Sequence, residues 1–400
     1  MLFSLALIFL AGLAAAALFE KLGLPRIIGM LCTGILVGPF VLDLLDPKIL
    51  GISSELRQIA LIVILVRAGL TLDLSDLRRV GKPAALMAFV PASLEIVGYV
   101  LLAPILLGVT RTEAAVMGAV LSAVSPAVVV PRMVRLIEEK RGTAKSIPQM
   151  ILAGASCDDI FVIVLFSVFL GMAQGGEVSA IKLLDIPASI VLGVALGAAA
   201  GAVLYLLFAY AAKREKPVRS TVQVIVLFGT AFLLMAAESF AKPYVAVSGL
   251  LAVTAMACVL KRKADPSVSA RLSSKCGKLW IGAETVLFVL VGAAVDIRCT
   301  LTAGIPAVLM IFAALVFRCA GVWLCVLGTK LTARERLFCC IAYLPKATVQ
   351  AAIGSLPLAM GLPCGNIVLS AAVLAILLTS PLGAVGIDRC CGILLEQEQA

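Results

Sequence analysis

Two neighbouring aspartates, Asp158 and Asp159, sit in the run Gly154-Ala155-Ser156-Cys157-Asp158-Asp159-Ile160, inside a stretch that is otherwise apolar. On a helix, adjacent side chains point about 100° apart. Two carboxylates that close in a low dielectric do not ionise independently and titrate as one coupled pair. A carboxylate held there can take a proton or a small cation, but not comfortably both, and that competition is the chemistry of exchange. The chain contains no histidine, the side chain that ordinarily titrates near neutral pH. A proton must therefore ride on carboxylates, or on Lys346.

Three more charges fall inside apolar runs: Glu95, Arg318 and Lys346. Each costs about 2.5–3.5 kcal/mol on insertion scales at the centre of a bilayer, so each needs a partner. Glu95 and Lys346 read as members of an ion pair inside the bundle, with the choice of partner open. Arg318 keeps its proton under ordinary conditions, so it balances a carboxylate or a helix end and carries no proton itself. The competing reading is a static acid pair neutralised by Arg318 or Lys346. Glu284 lies about one turn into its run, and Arg67 is near enough to an end to snorkel.

Prolines interrupt two runs beside these charges. A proline leaves the carbonyl four residues earlier without its helical donor. Pro126 and Pro131 free the carbonyls of Ser122 and Ala127; Pro345 and Pro357 free those of Ile341 and Ile353. In hydrocarbon such groups must be met by protein, water or a ligand. Together with the hydroxyls of Ser125 and Ser156, they offer oxygen ligands to a hard cation. The competing role for the prolines is a packing kink.

The elements that must position these residues are membrane helices. The chain has 400 residues, 62% hydrophobic and 14% charged, with a mean hydropathy of +1.13. A soluble fold could not hide so much apolar surface. Windows of about 20 apolar residues predict thirteen spans, at 2–19, 27–42, 58–72, 84–108, 113–134, 147–173, 186–212, 220–240, 244–260, 279–297, 302–328, 335–359 and 366–387. The formal net charge of +10 does not point to nucleic acid, because the bases occupy short segments between apolar runs. They concentrate in the loops after odd-numbered spans and in the C-terminal tail. By the positive-inside rule this puts the N-terminus outside and the C-terminus in the cytoplasm. The first run, Leu2 to Phe19, has no basic segment before it and reads as a span rather than a signal peptide. The 12 cysteines have no zinc-ligand spacing and read as small buried hydrophobes.

An internal repeat is visible at an offset of 223 residues. Gly69-Leu-Thr-Leu-Asp73 matches Gly292-Ala-Ala-Val-Asp296, Glu95 falls against Arg318, and the Ser125-Pro126 break falls near Pro345. The two members run in opposite directions in this topology. That predicts an inverted repeat of spans 1–6 and 8–13 with span 7 as the link. Inverted repeats with interrupted helices at mid-membrane mark secondary transporters.

Ala123-Val-Ser125-Pro126-Ala-Val-Val-Val-Pro131, Cys157-Asp158-Asp159-Ile160 and Tyr343-Leu-Pro345-Lys346-Ala-Thr-Val-Gln350 resemble the cation:proton antiporter superfamily. The resemblance is to its aspartate-pair branch of NhaA- and NapA-type proteins, and within it to the NHA-type Na⁺/H⁺ exchangers. Val66-Arg67-Ala-Gly-Leu and Leu290-Val-Gly292-Ala match that group too. It implies an all-α, NhaA-like antiporter fold of thirteen transmembrane helices with broken crossing helices. It also implies a homodimer among membrane lipids and no cofactor beyond transported Na⁺ or Li⁺ and H⁺. The implied domains are a dimerisation domain (1–83 and 220–300), a core ion-transport domain (84–173 and 301–390), a linker helix (174–219) and a short cytoplasmic tail (391–400). The core moves as an elevator, the ion-binding aspartate falls on Asp159, and its partner falls on Asp158. The expected location is the prokaryotic inner membrane. Many relatives carry lysine where this chain has Arg318, which leaves the stoichiometry open.

The expected function is Na⁺ or Li⁺ exchange for H⁺. K⁺/H⁺ antiport is the first alternative, and a sodium-coupled organic-anion symporter on a similar fold the second. An intramembrane aspartyl protease needs two facing aspartates, usually from different helices, and these are neighbours on one. A channel fits the repeat and the buried acid pair less well than alternating access.

Overall fold

The computed structural model describes residues 1–71, 81–174, 180–214, 218–241, 247–295 and 304–397, and the backbone alone at 156, 180–188 and 190. Apart from an isolated bridge between Arg141 and Gln397, the described residues form helices, turns and loops. In chain order the helices are α1 (Leu2–Lys21), α2 (Arg26–Val37), α3 (Pro47–Gly51), α4 (Ser53–Thr71), α5 (Lys82–Met87), α6 (Val90–Leu107), α7 (Arg111–Leu121), α8 (Pro126–Glu138), α9 (Ile147–Ala173), α10 (Ala180–Lys213), α11 (Ser220–Ala241), α12 (Gly249–Lys263), α13 (Pro266–Ala293), α14 (Gly304–Cys325), α15 (Ala333–Ala342), α16 (Thr348–Ile353), α17 (Leu356–Ala359) and α18 (Gly365–Leu394).

Among the described residues, nine helical stretches are long and apolar enough to cross a membrane. The all-helical, membrane-spanning character expected from the composition is therefore present. Four of the thirteen expected spans take other forms. The second is only 12 residues long, because Gly38 leaves the helix extended after Val37. The ninth has 15 residues and ends at Lys261-Arg262-Lys263. The third lies in α4, which is described only as far as Thr71. The twelfth is cut into α15, α16 and α17. Asp73 and Asp296 of the sequence repeat lie outside the described residues.

The chain divides into two compact units, Met1–Arg57 with Asp73–Ala173 and Thr285–Ala400, and Gln58–Leu72 with Gln174–Glu284. In the first unit, α5, α8, α9, α14, α15 and α18 enclose a core that includes Met87, Val129, Met133, Ile151, Phe338 and Ile387. Helix ends there are fixed by local chemistry. Gly108 takes the left-handed conformation that stops α6, a conformation glycine adopts without steric cost. Thr110 and Glu113 then form a capping box at the start of α7. Thr332 and Glu335 form another at the start of α15. Each box satisfies backbone donors that the first turn leaves open. In the second unit, α10 lies on α12, where Gly197 faces the backbone of Ala252 with no room for a side chain.

Candidate functional site

The site lies in the first unit, where α7 and α15 both stop short in mid-course. Helix α7 ends at Leu121, residues 122–125 are non-helical, and α8 resumes at Pro126. Proline suits a first helical turn, whose N–H groups have no intrahelical partner. Helix α15 ends at Ala342, and α16 begins at Thr348 after Pro345. The two breaks touch: the Ser125 amide donates to the Pro345 carbonyl at 2.8 Å.

Arg318, fully buried on α14, holds both breaks. Its Nε donates to the Tyr343 carbonyl at 2.6 Å, and Nη1 donates to Glu95 Oε2 at 2.8 Å. Nη1 also donates to the Ser122 carbonyl, and Nη2 to Asp158 Oδ2 at 3.1 Å. The ring of Tyr343 lies against the guanidinium, 5.4 Å from its centroid. The Arg318 fork thus meets two carboxylates and two backbone carbonyls, charge-assisted bonds that are among the stronger ones in proteins.

Glu95 answers the partner question left open by the sequence. It takes Arg318 on one side and Lys346 on the other, with Lys346 Nζ 2.7 Å from Oε1 and 2.9 Å from Oε2. The Lys346 backbone is pinned separately: its amide donates to Thr379 Oγ1 at 3.0 Å, and its carbonyl accepts from Ser380 Oγ at 2.5 Å.

The adjacent aspartates meet different surroundings. Asp158 Oδ2 accepts from Arg318 and from the Val124 amide at 2.7 Å. Asp159 is 8% exposed, and among the described residues its Oδ1 has no hydrogen-bond donor. Other buried oxygens without a hydrogen-bond partner among the described residues include Asp158 Oδ1, Ser125 Oγ, Thr348 Oγ1 and Gln350 Oε1. Arg318 thus bonds Asp158, and among the described residues no such bond is made to Asp159 Oδ1.

One expectation needs correction. The Ser122 carbonyl freed by Pro126 is not available to a cation, because Arg318 occupies it. The neighbouring Ala123 carbonyl accepts from Gln350 Nε2 at 2.8 Å. A low-dielectric interior penalises open carbonyls strongly enough that protein donors fill them first. Pro131 lies inside α8 without ending it. The side chain of Ser156 lies outside the described residues.

A model of the sodium/hydrogen exchanger transmembrane family matches residues 5–389. The chain belongs to the sodium/hydrogen exchanger family. Sodium/hydrogen exchanger 9B2 of Homo sapiens is 33% identical over 94% of this chain and 70% of its own length. Sodium/hydrogen exchanger 9B1 of Homo sapiens is 28% identical over 90% of this chain and 71% of its own. The solved sodium proton antiporter MjNhaP1 from Methanocaldococcus jannaschii matches with a TM-score of 0.82 at 23% identity, covering 95% of this chain and 98% of that one. The superfamily resemblance read from the motifs is thus met. Members of the exchanger family are transporters, not enzymes, and need no cofactor beyond the ions they carry.

Several positions in this exchanger escaped the sequence reading because they are neutral or act through backbone. Gln350 stood in the quoted motif without a role. Thr379 and Ser380, an adjacent hydroxyl pair in an apolar helix, were a usable signal. Gly154, four residues before Asp158, gave none: a methyl there would sit 3.0 Å from Met87 Cβ and collide with the Tyr343 hydroxyl. Its bare backbone is what lets α15 close on α9.

Proposed function

We propose that this exchanger trades Na⁺, or Li⁺, for H⁺, with Asp159 as the group that holds either ion. The observation that carries this is a charge count. The buried cluster contains three acids, Glu95, Asp158 and Asp159, and two bases, Arg318 and Lys346. Glu95 and Asp158 are matched by the two bases. Asp159 is the carboxylate left over, and one monovalent cation or one proton on it brings the cluster to neutrality. A buried uncompensated charge is costly, so each ion stabilises the site that the other vacates. Arg318 cannot release a proton, and both carboxylate oxygens of Glu95 face Lys346. The count therefore favours exchange of one cation for one proton.

Asp158 acts as the fixed partner, and Ser125 and Ser156 as possible hydroxyl ligands. Glu95, Arg318 and Lys346 balance charge, and Pro126, Pro131 and Pro345 shape the broken helices. Supporting an inverted repeat, Glu95 and Arg318 are 223 residues apart and bond directly; equivalent positions meet in this way only near a pseudo-two-fold axis. The Thr110–Glu113 and Thr332–Glu335 capping boxes and the two breaks fit the same relation. On this reading thirteen spans cross the membrane, with the N-terminus outside and the C-terminus in the cytoplasm. The core domain (84–173 and 301–390) carries the ion as an elevator, and the dimerisation domain (1–83 and 220–300) makes a homodimer. The human relatives are animal proteins, so the prokaryotic inner membrane draws no support from them.

The test uses purified protein in liposomes with an imposed pH gradient. Wild-type protein collapses the gradient on addition of Na⁺ or Li⁺, and Asp159→Asn does not. Full activity in that variant would remove Asp159 from the mechanism. Equal rates with K⁺ would favour the K⁺/H⁺ alternative.

A further inference from the structure

Cys319 follows Arg318 on α14, and Cys340 lies three residues before Tyr343 on α15. The Cys340 thiol donates to the Cys319 carbonyl, Sγ to O 3.6 Å. Cys340 is 5% exposed. Cys319 is half-buried and borders Val316, Ala320 and Trp323, which form an exposed, mostly apolar face of α14. An exposed apolar face admits a lipophilic molecule more readily than a hydrated ion.

We propose that Cys319 and Cys340 form a dithiol site for trivalent arsenicals, entered from the lipid, and that its occupation disturbs the Arg318 clamp. Two cysteines brought together from separate helices suit a soft centre that needs two thiolate ligands. Phenylarsine oxide is the natural probe. Two As–S bonds form, the arsenic–oxygen bond and two S–H bonds break, and the oxygen leaves with both protons as one water. Arsenic stays trivalent, so no oxidant is required. The adduct places a large atom between α14 and α15, where side chains are close-packed and interiors tolerate little extra volume. Arg318, which precedes Cys319, bonds through Nε at 2.6 Å to the carbonyl of Tyr343, three residues after Cys340, and this bond joins the same two helix segments. Neither cysteine belongs to the charge cluster, so the proposal stands apart from the assignment of Asp159.

The test treats the exchanger in liposomes with phenylarsine oxide and analyses it by mass spectrometry and by transport. Wild-type protein should carry one arsenic bridging the Cys319 and Cys340 peptides. Its exchange rate should fall by about tenfold or more, since a misplacement of about 1 Å can cost that much, and 2,3-dimercaptopropanol should restore it. Cys319→Ser and Cys340→Ser should each exchange normally without the reagent and lose both the bridged adduct and the inhibition. Absence of the bridge in wild-type protein, or undiminished inhibition in both variants, would overturn the site. A complete bridge with an unchanged rate would overturn its coupling to Arg318.

Discussion

The two helix breaks are made from similar parts and held by different chemistry. At 122–125 the backbone is met by charged or amide side chains from three other helices. Arg318 of α14 takes the Ser122 carbonyl, Asp158 of α9 takes the Val124 amide, and Gln350 of α16 takes the Ala123 carbonyl. At 343–347 the amide and carbonyl of Lys346 are met by two neutral hydroxyls, Thr379 and Ser380, adjacent on α18. Arg318 reaches this second break at the Tyr343 carbonyl. Charge-assisted bonds change when a neighbour gains or loses charge, and neutral ones largely do not. On the proposed function, the first break, with its charged and amide partners, is built to feel which ion Asp159 holds, while the Lys346 end of the second break, held by hydroxyls, responds less.

The largest way to break this contrast is Arg318→Met. It leaves Asp158 without a base, Glu95 with Lys346 alone and a carbonyl in each break without its donor, and loss of one partner from a buried ionic cluster costs about 3–5 kcal/mol. A large drop in thermal stability of the detergent-purified protein is expected; a drop no greater than that of Thr379→Val would contradict the contrast. Next in size is the Glu95–Lys346 pair. Glu95→Gln and Lys346→Met should each destabilise, and the double variant should lose less than their sum by about 1–3 kcal/mol. Strictly additive losses would show that the pair contributes nothing directly. The smallest effect belongs to the neutral bonds. Thr379→Val and Ser380→Ala should cost about 1 kcal/mol each and leave the pH profile of exchange unmoved. A shifted profile in either variant would mean that the second break also senses charge.

Much of the site could be read in the sequence because membranes make charge conspicuous. Glu95, Asp158, Asp159, Arg318 and Lys346 each stood out as an ionisable residue in an apolar run, and four of the five meet in one bonded network. Their partners were not legible, since Arg318 bonds to residues 160 and 223 positions away and no local pattern encodes that pairing. The prolines announced interruptions, but hydropathy windows read across them. Broken helices were expected at these prolines, and Leu121–Pro126 and Ala342–Thr348 are gaps in the helix. The short helices α2 and α12 were overestimated for the same reason, as windows register apolar residues and not helix ends such as Gly38. Backbone contributors, namely the Val124 amide and the Tyr343 carbonyl, have no side-chain signature at all.

The central claim is that one carboxylate, Asp159, gives up a proton when it takes the cation. Calorimetric titration of the purified protein with Na⁺, repeated in buffers of different ionisation enthalpy, counts the protons released on binding. The account predicts about one proton per Na⁺ for wild-type protein, following the two-state competition at a single group, and neither binding nor release for Asp159→Asn. Sodium binding without proton release in the wild type, or undiminished release from the Asp159→Asn variant, would contradict it.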